Sequence, residues 1–340
     1  MTQQRINMQL RVSVLGAGSF GTTIAHLATN NAPTMLWCRR KETAEEINAE
    51  HTNDAYLPGH QIAPELRATS SLEEAVSQAD VVVMGVPSLG LREVLEDVKQ
   101  HIRPWVPVVS LAKGLEAGTR LRMTEVINEV LPDHRAGALT GPNLAKEIMA
   151  GFAAASVIAF DDVDTARQLQ GVFNTGLLRM YTNRDVIGCE LAGALKNVIA
   201  IAVGMGDGLG VGDNTRAAVM TRGLSELTRL GVAMGGEPAT FAGLAGVGDL
   251  IATCASRQSR NRFVGEELGR GRTVEEITGD MNQVAEGIKT SRVVMELASK
   301  FDVDLPICRE VYGVIYEGRK ATDAYSGLTR REPGAEHETG

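Results

Sequence analysis

Cysteine is scarce in this sequence of 340 residues, basic residues are in deficit, and no apolar run is long. The four cysteines, Cys38, Cys189, Cys254 and Cys308, lie far apart with no C-x-x-C pair. That excludes a disulfide framework and a cysteine-based zinc site, and it fits a reducing, cytoplasmic setting. The six histidines, His26, His51, His60, His101, His134 and His337, show no ligand spacing, so no metal is expected. Lys plus Arg number 34 against 42 Asp plus Glu, a formal charge of -8, whereas a general nucleic-acid binder carries a clustered basic excess. The longest apolar stretches, 81–86 and 198–205, fall well short of the ~20 residues that cross a bilayer. The opening MTQQRINMQLRV also has no signal-peptide core, so neither stable membrane insertion nor secretion is expected.

What is present is an ordinary globular composition, 44% hydrophobic and 22% charged, far from the signature of disorder. Length alone suggests about two domains. Glycine is enriched, 37 residues in all, and it clusters at a few places. The first half alternates short β-branched runs with helical patterns, the mark of βαβ units and a parallel sheet. Strands are expected at 11–15, 34–38, 81–86, 108–111, 136–140, 154–159 and 178–181, several of them apolar at consecutive positions because helices cover both faces. Ser71 and Glu74 predict a capping box on a helix ending near Asp80. From Gly188 onward the spacing becomes i, i+3, i+4, and helices are expected at 190–203, 214–230, 292–301 and 306–317. The fold class is therefore α/β, an N-terminal Rossmann-type dinucleotide-binding domain (1–187) followed by an all-α C-terminal domain (188–328). The polar stretch 329–340 is expected to be a disordered tail.

RVSVLGAGSFG sets Gly16, Gly18 and Gly21 in G-x-G-x-x-G spacing between a strand and a helix, which is a dinucleotide-binding fingerprint. Gly16 permits the tight turn, Gly18 the approach of a pyrophosphate, and Gly21 close helix packing; Ser19 and Phe20 complete the candidate cofactor loop. A NAD site commonly has a carboxylate about twenty residues on, at the end of the second strand. Here the chain reads LWCRRKE, and Arg39 and Arg40 suit a 2′-phosphate, so NADPH is favoured. Glu42 keeps NADH open, and a merely solvated basic loop is the plain alternative. Lys196 lies among Leu195, Val198, Ile199 and Ile201, an apolar setting that would lower a lysine pKa and suit it to protonate the alkoxide formed when hydride reduces a ketone, while a snorkelling surface lysine is the plainer local reading. Lys113, at a strand end, is a candidate second cation. Asp249 opens an apolar helix after a glycine-rich turn, a good N-cap or first-turn acid.

Together with the glycine motif, Ala112-Lys113-Gly114, GPNLAKE (141–147), GALKNV (193–198) and GVGDL (246–250) continuing into Ser259-Arg260-Asn261 resemble the bacterial NAD(P)-dependent glycerol-3-phosphate dehydrogenases over residues 10–320. The resemblance implies a homodimer that reversibly reduces dihydroxyacetone phosphate to sn-glycerol 3-phosphate for phospholipid synthesis. It implies Lys196 as general acid and base, Lys113 as a catalytic residue that binds substrate and cofactor, and Asp249 as the residue that orients the lysine and contacts substrate. Gly141, Asn143, Ser259, Arg260 and Asn261 are implied as substrate contacts, with Asn143 standing where the family more often has Ser or Thr. Ala145, Arg260, Val284 and Glu286 are implied as cofactor contacts. Two readings stay open beside it. One is another Rossmann-plus-helical dehydrogenase, of β-hydroxy acid or ketopantoate type; the other is a non-catalytic NADPH-sensing protein.

Overall fold

The computed structural model describes residues 10–281 and 285–329. It divides into two compact units. The first comprises the chain up to Ala112, Met123–Leu139 and Asn143–Arg184; the second comprises Lys113–Arg122, Thr140–Pro142 and the chain from Asp185 onward. Two short segments from the α/β half thus group with the helical unit, where sequence patterning had kept 1–187 whole. The expected tail falls outside the described residues except Thr329, which ends a helix.

The first unit is an eight-stranded sheet of β1 (Val12–Leu15), β2 (Thr34–Trp37), β3 (Arg67–Thr69), β4 (Val81–Met84), β5 (Val108–Ser110), β6 (Ala136–Thr140), β7 (Ala154–Ala159) and β8 (Leu178–Asn183). The order is β3-β2-β1-β4-β5-β6-β7-β8. Pairs from β3 to β6, and β7 with β8, are parallel. Helices α1 (Ser19–Ala28), α2 (Lys41–Glu50), α3 (Leu72–Val76), α4 (Leu91–Val98), α5 (Met123–Val130), α6 (Ala145–Met149) and α7 (Val163–Phe173) connect the strands. Every residue of β1 and β4 is buried, as their unbroken apolar runs require. Strand order reverses between β1 and β4, the switch point at whose C-terminal edge open α/β sheets bind ligands.

The structure departs from the sequence patterning at two places. β3 was not foreseen, because three residues with one exposed arginine carry no period. α3 stops at Val76, short of Asp80, and its box is half made. Ser71 accepts from Glu74 N at 3.2 Å, but the Glu74 carboxylate accepts from the Thr69 hydroxyl instead of from the Ser71 amide.

The second unit is built around α8 (Val186–Leu209), surrounded by α9 (Asp213–Ala233), α10 (Pro238–Phe241), α11 (Asp249–Ala255), α12 (Arg260–Gly269), α13 (Val274–Gly279), α14 (Glu286–Phe301), α15 (Pro306–Tyr316) and α16 (Ala321–Thr329). Asp185 caps α8, accepting from Gly188 N at 2.7 Å and from Glu237 N at 2.8 Å. By length and mean hydropathy (1.8) α8 could cross a membrane, yet 94% of that window is buried within the protein; a second stretch, Pro238–Ala255, passes the same test at 44% buried. α8 is a core helix, apolar over most of its surface because other helices pack around it, with Glu190, Lys196 and Asn197 as buried polar exceptions. Its contact with α12 is backbone-close. A Cβ on Gly204 would sit 2.0 Å from Arg262 O, and one on Gly265 2.1 Å from Ile201 O. Each helical glycine costs about 1 kcal/mol in propensity, which the burial of neighbours such as Ile201, Met205 and Leu268 offsets at about 1.5–3 kcal/mol per large side chain.

Candidate active site

In the first unit the glycine turn follows β1 at the switch point. Gly16 has φ +120°, and a Cβ there would lie 2.8 Å from Gly85 O, so only glycine fits between the ends of β1 and β4. A Cβ on Gly21 would lie 2.1 Å from Gly16 O, which lets α1 pack directly on the turn. Gly18 differs: a Cβ there meets nothing within 4 Å. It is the N-cap of α1 and offers no side chain to the first-turn amides, and no acid stands in that turn. An open cradle at an uncapped helix N-terminus fits the pyrophosphate of a dinucleotide. Arg39 and Arg40 are exposed at the C-terminal end of β2, Arg40 as N-cap of α2.

Sequence reasoning missed what holds this turn from behind. Asn53, fully buried, donates from Nδ2 to Ala17 O (2.9 Å) and to Thr22 Oγ1 (3.0 Å). Ser19 Oγ donates to Tyr56 O at 2.9 Å. These contacts span 31 to 37 residues, and no local signal points to them.

In the second unit Lys196, 4% exposed, and Asp249, 2% exposed, meet in the interior. Lys196 Nζ lies 2.5 Å from Asp249 Oδ1 and donates to Thr253 Oγ1 at 2.5 Å. Lys113 Nζ lies 2.9 Å from Asp249 Oδ2 and donates to Gly141 O at 2.9 Å. One carboxylate therefore holds two ammonium groups, one on each oxygen, and the cluster carries a net positive charge. Burial pushes Lys196 down to about 8; Asp249 opposes the fall and Lys113 adds to it. Asp249 is the first residue of α11, continuing a π-helical turn, Leu244–Gly248, and it spends its carboxylate on the lysines rather than on capping. Thr253 stands one turn along α11 on the same face, four residues from Asp249 in the sequence. Asn197, likewise unassigned, donates from Nδ2 to Lys113 O (2.9 Å) and accepts at Oδ1 from Asn261 Nδ2 (2.9 Å).

The remaining predicted residues divide between the units. Ser259 caps α12, accepting from Arg262 N at 3.2 Å. Arg260 is exposed as the first residue of α12 and makes no ion pair among the described residues. Asn261 is buried, with its Oδ1 also accepting from Gly287 N at 2.9 Å, so its amide braces Lys113 and α14 through Asn197 and Gly287. Glu286 begins α14, half-buried. Asn143 and Ala145 belong to the first unit; Asn143 Nδ2 donates to Ser156 Oγ at 3.1 Å, and Ala145 begins α6. Val284 lies outside the described residues.

The profile described as NAD-dependent glycerol-3-phosphate dehydrogenase N-terminus matches residues 11–166, and that described as the C-terminus of the same enzymes matches residues 185–326. A glycerol-3-phosphate dehydrogenase (NAD(P)+) of Sphingopyxis alaskensis is 58% identical over 98% of this chain and 100% of its own length. One from Mycobacterium avium is 55% identical over 96% of each. The crystal structure of a glycerol-3-phosphate dehydrogenase from Coxiella burnetii superposes with a TM-score of 0.90 at 34% identity, covering 95% of this chain and 99% of that one.

Proposed function

The chain belongs to the NAD-dependent glycerol-3-phosphate dehydrogenase family, and on that premise we propose that it reversibly reduces dihydroxyacetone phosphate to sn-glycerol 3-phosphate, supplying glycerophospholipid synthesis. In this reading residues 1–187, less the two segments that group with the helices, bind the dinucleotide, and residues 188–328 carry substrate chemistry and dimerisation. The enzyme works as a cytoplasmic homodimer, prefers NADPH and accepts NADH.

The single observation that carries the reading is the buried Lys196–Asp249–Lys113 cluster. When bound, the dinucleotide supplies the hydride. Gly16, Gly18, Ser19, Phe20 and Gly21 hold its pyrophosphate, Arg39 and Arg40 its 2′-phosphate, with Ala145, Val284 and Glu286 as further contacts. Lys196 has three N–H donors and commits one to Asp249 and one to Thr253, which leaves one for a substrate oxygen. With its pKa near 8 it is mostly protonated at neutral pH and loses the proton readily, so it neutralises the alkoxide during reduction and takes the proton back during oxidation. Asp249 fixes the direction of Lys196 and holds Lys113 beside it. A substrate phosphate brings nearly two negative charges; the net positive cluster and Arg260, with its planar fork, attract it although the whole protein carries -8. Gly141, Asn143, Ser259 and Asn261 complete the substrate contacts.

An NADPH-sensing protein needs the glycine turn and gains nothing from a buried Lys196 with a half-buried Lys113 beside it, whose desolvation is costly. The test is loss of nicotinamide absorbance with purified protein and NADPH or NADH. Oxidation with dihydroxyacetone phosphate, faster with NADPH and much slower with unphosphorylated dihydroxyacetone, is expected. Oxidation with ketopantoate or a β-keto acid alone, or none with any carbonyl in protein that binds NADPH, overturns the reading.

A further inference from the structure

We propose that the ion pair between Arg122 and Glu190 is a positioning element, which holds the Lys113 segment on α8 and so sets the distance between Lys113 and Lys196; the proposal rests on the functional reading above and deepens it. The chain joins the second unit at Lys113 and leaves it after Arg122. These residues form a closed loop. Leu115 and Arg122 make an antiparallel bridge, Glu116 N donates to Leu121 O and Arg120 N to Glu116 O, both at 2.9 Å, and Gly118 (φ 89°) and Arg120 (φ 65°) turn the chain in left-handed conformations.

The loop is fastened to α8 at two places. At its start Asn197 Nδ2 donates to Lys113 O, and at its end Arg122 Nη1 lies 2.8 Å from Glu190 Oε2, with side chains 13% and 5% exposed. Glu190 and Asn197 are seven residues apart, two helical turns, so both anchors stand on one face of α8, and Lys196 is the neighbour of the second. Between them Leu115 is buried in the core of the helical unit. A third pair, Arg120 with Glu296 at 3.4 Å, is exposed and contributes little. A buried ion pair adds little net stability over an apolar pair, but the guanidinium fork fixes geometry that an apolar contact leaves loose. The geometry at stake is that of Lys113 against Asp249. The charged and titratable groups facing Lys196 are Asp249 and Cys254 on α11 and Lys113 on the loop. Withdrawing Lys113 removes the like charge, makes Lys196 more basic and weakens the hold on a phosphorylated substrate.

The test compares wild type with the double variant Arg122→Met/Glu190→Gln, which removes both charges of the pair, and with Arg122→Lys. Reductive methylation of Lys113 in the folded protein, followed by peptide mass spectrometry, requires no turnover. The double variant is expected to label Lys113 at least about fivefold faster, to raise KM for dihydroxyacetone phosphate roughly tenfold, and to move the pH midpoint of kcat upward by about half a unit or more. Arg122→Lys, which keeps the charge and loses the fork, shifts all three in the same direction by less. It carries the test alone if the double variant does not fold. Unchanged Lys113 labelling, or a lowered kcat with an unmoved pH midpoint, overturns the proposal. Absence of turnover in wild type instead sinks the functional reading, and the labelling still judges the tether.

Discussion

The glycine turn of the first unit and the lysine cluster of the second meet charge by opposite means. The turn works by removal: Gly16 and Gly21 lack side chains so that β1, β4 and α1 close on one another, and Gly18 lacks one where space is left open. Its positive potential comes from backbone amides at a helix start, which need no proton and do not titrate. The cluster works by burying full charges around one carboxylate, which shifts Lys196 into the range where a proton moves. Holding a cofactor demands shape, whereas moving a proton demands a tuned pKa. The two regions should therefore fail differently when altered.

The largest expected effect is on the cluster. Lys196→Met removes the proton donor and should lower kcat by roughly 10²- to 10⁴-fold, with NADPH affinity, read by fluorescence titration, held within a few-fold. Loss of NADPH binding to the same degree would erase the distinction between the regions. Next is Gly21→Ala, whose Cβ would collide with Gly16 O at 2.1 Å; overpacking of this kind costs about 1–3 kcal/mol or more. Thermal unfolding should fall by several degrees and NADPH binding should be lost with it. Gly18→Ala sharpens the contrast within the turn. Its Cβ meets no protein atom, so thermal stability should hold while NADPH affinity drops about tenfold, roughly 1.4 kcal/mol; equal loss of stability in the two variants would show that Gly18 serves packing alone. The smallest effect belongs to Arg39→Gln/Arg40→Gln. These exposed charges are screened by salt, and neutralising them should weaken NADPH several-fold more than NADH at low ionic strength, the gap narrowing at high salt.

The turn was legible in the sequence because its logic is local: strand, three glycines and helix follow one another within a dozen residues. Its support was not, since Asn53 reaches Ala17 across 36 residues without any pattern. The cluster lies at the other extreme. Lys196 and Asp249 are 53 residues apart, and nothing local in either joins them; the apolar neighbours of Lys196 marked it as unusual, and resemblance supplied its partner. The grouping of Lys113–Arg122 with the helical unit was hidden because a ten-residue excursion between β5 and α5 reads as a loop, and its fastening comes from residues 68 and 84 positions away, Glu190 on Arg122 and Asn197 on the Lys113 carbonyl. β3 escaped notice because its neighbour β2, through backbone pairing, and not its own composition makes it a strand.

The central claim is that a buried lysine of lowered pKa moves the proton. The most direct measurement is kcat against pH in both directions with wild-type protein. Reduction of dihydroxyacetone phosphate needs protonated Lys196 and oxidation of glycerol 3-phosphate needs the neutral amine. The reduction rate should therefore fall and the oxidation rate rise as pH passes through about 8. Two profiles that are flat through that range, or that rise together, would contradict it.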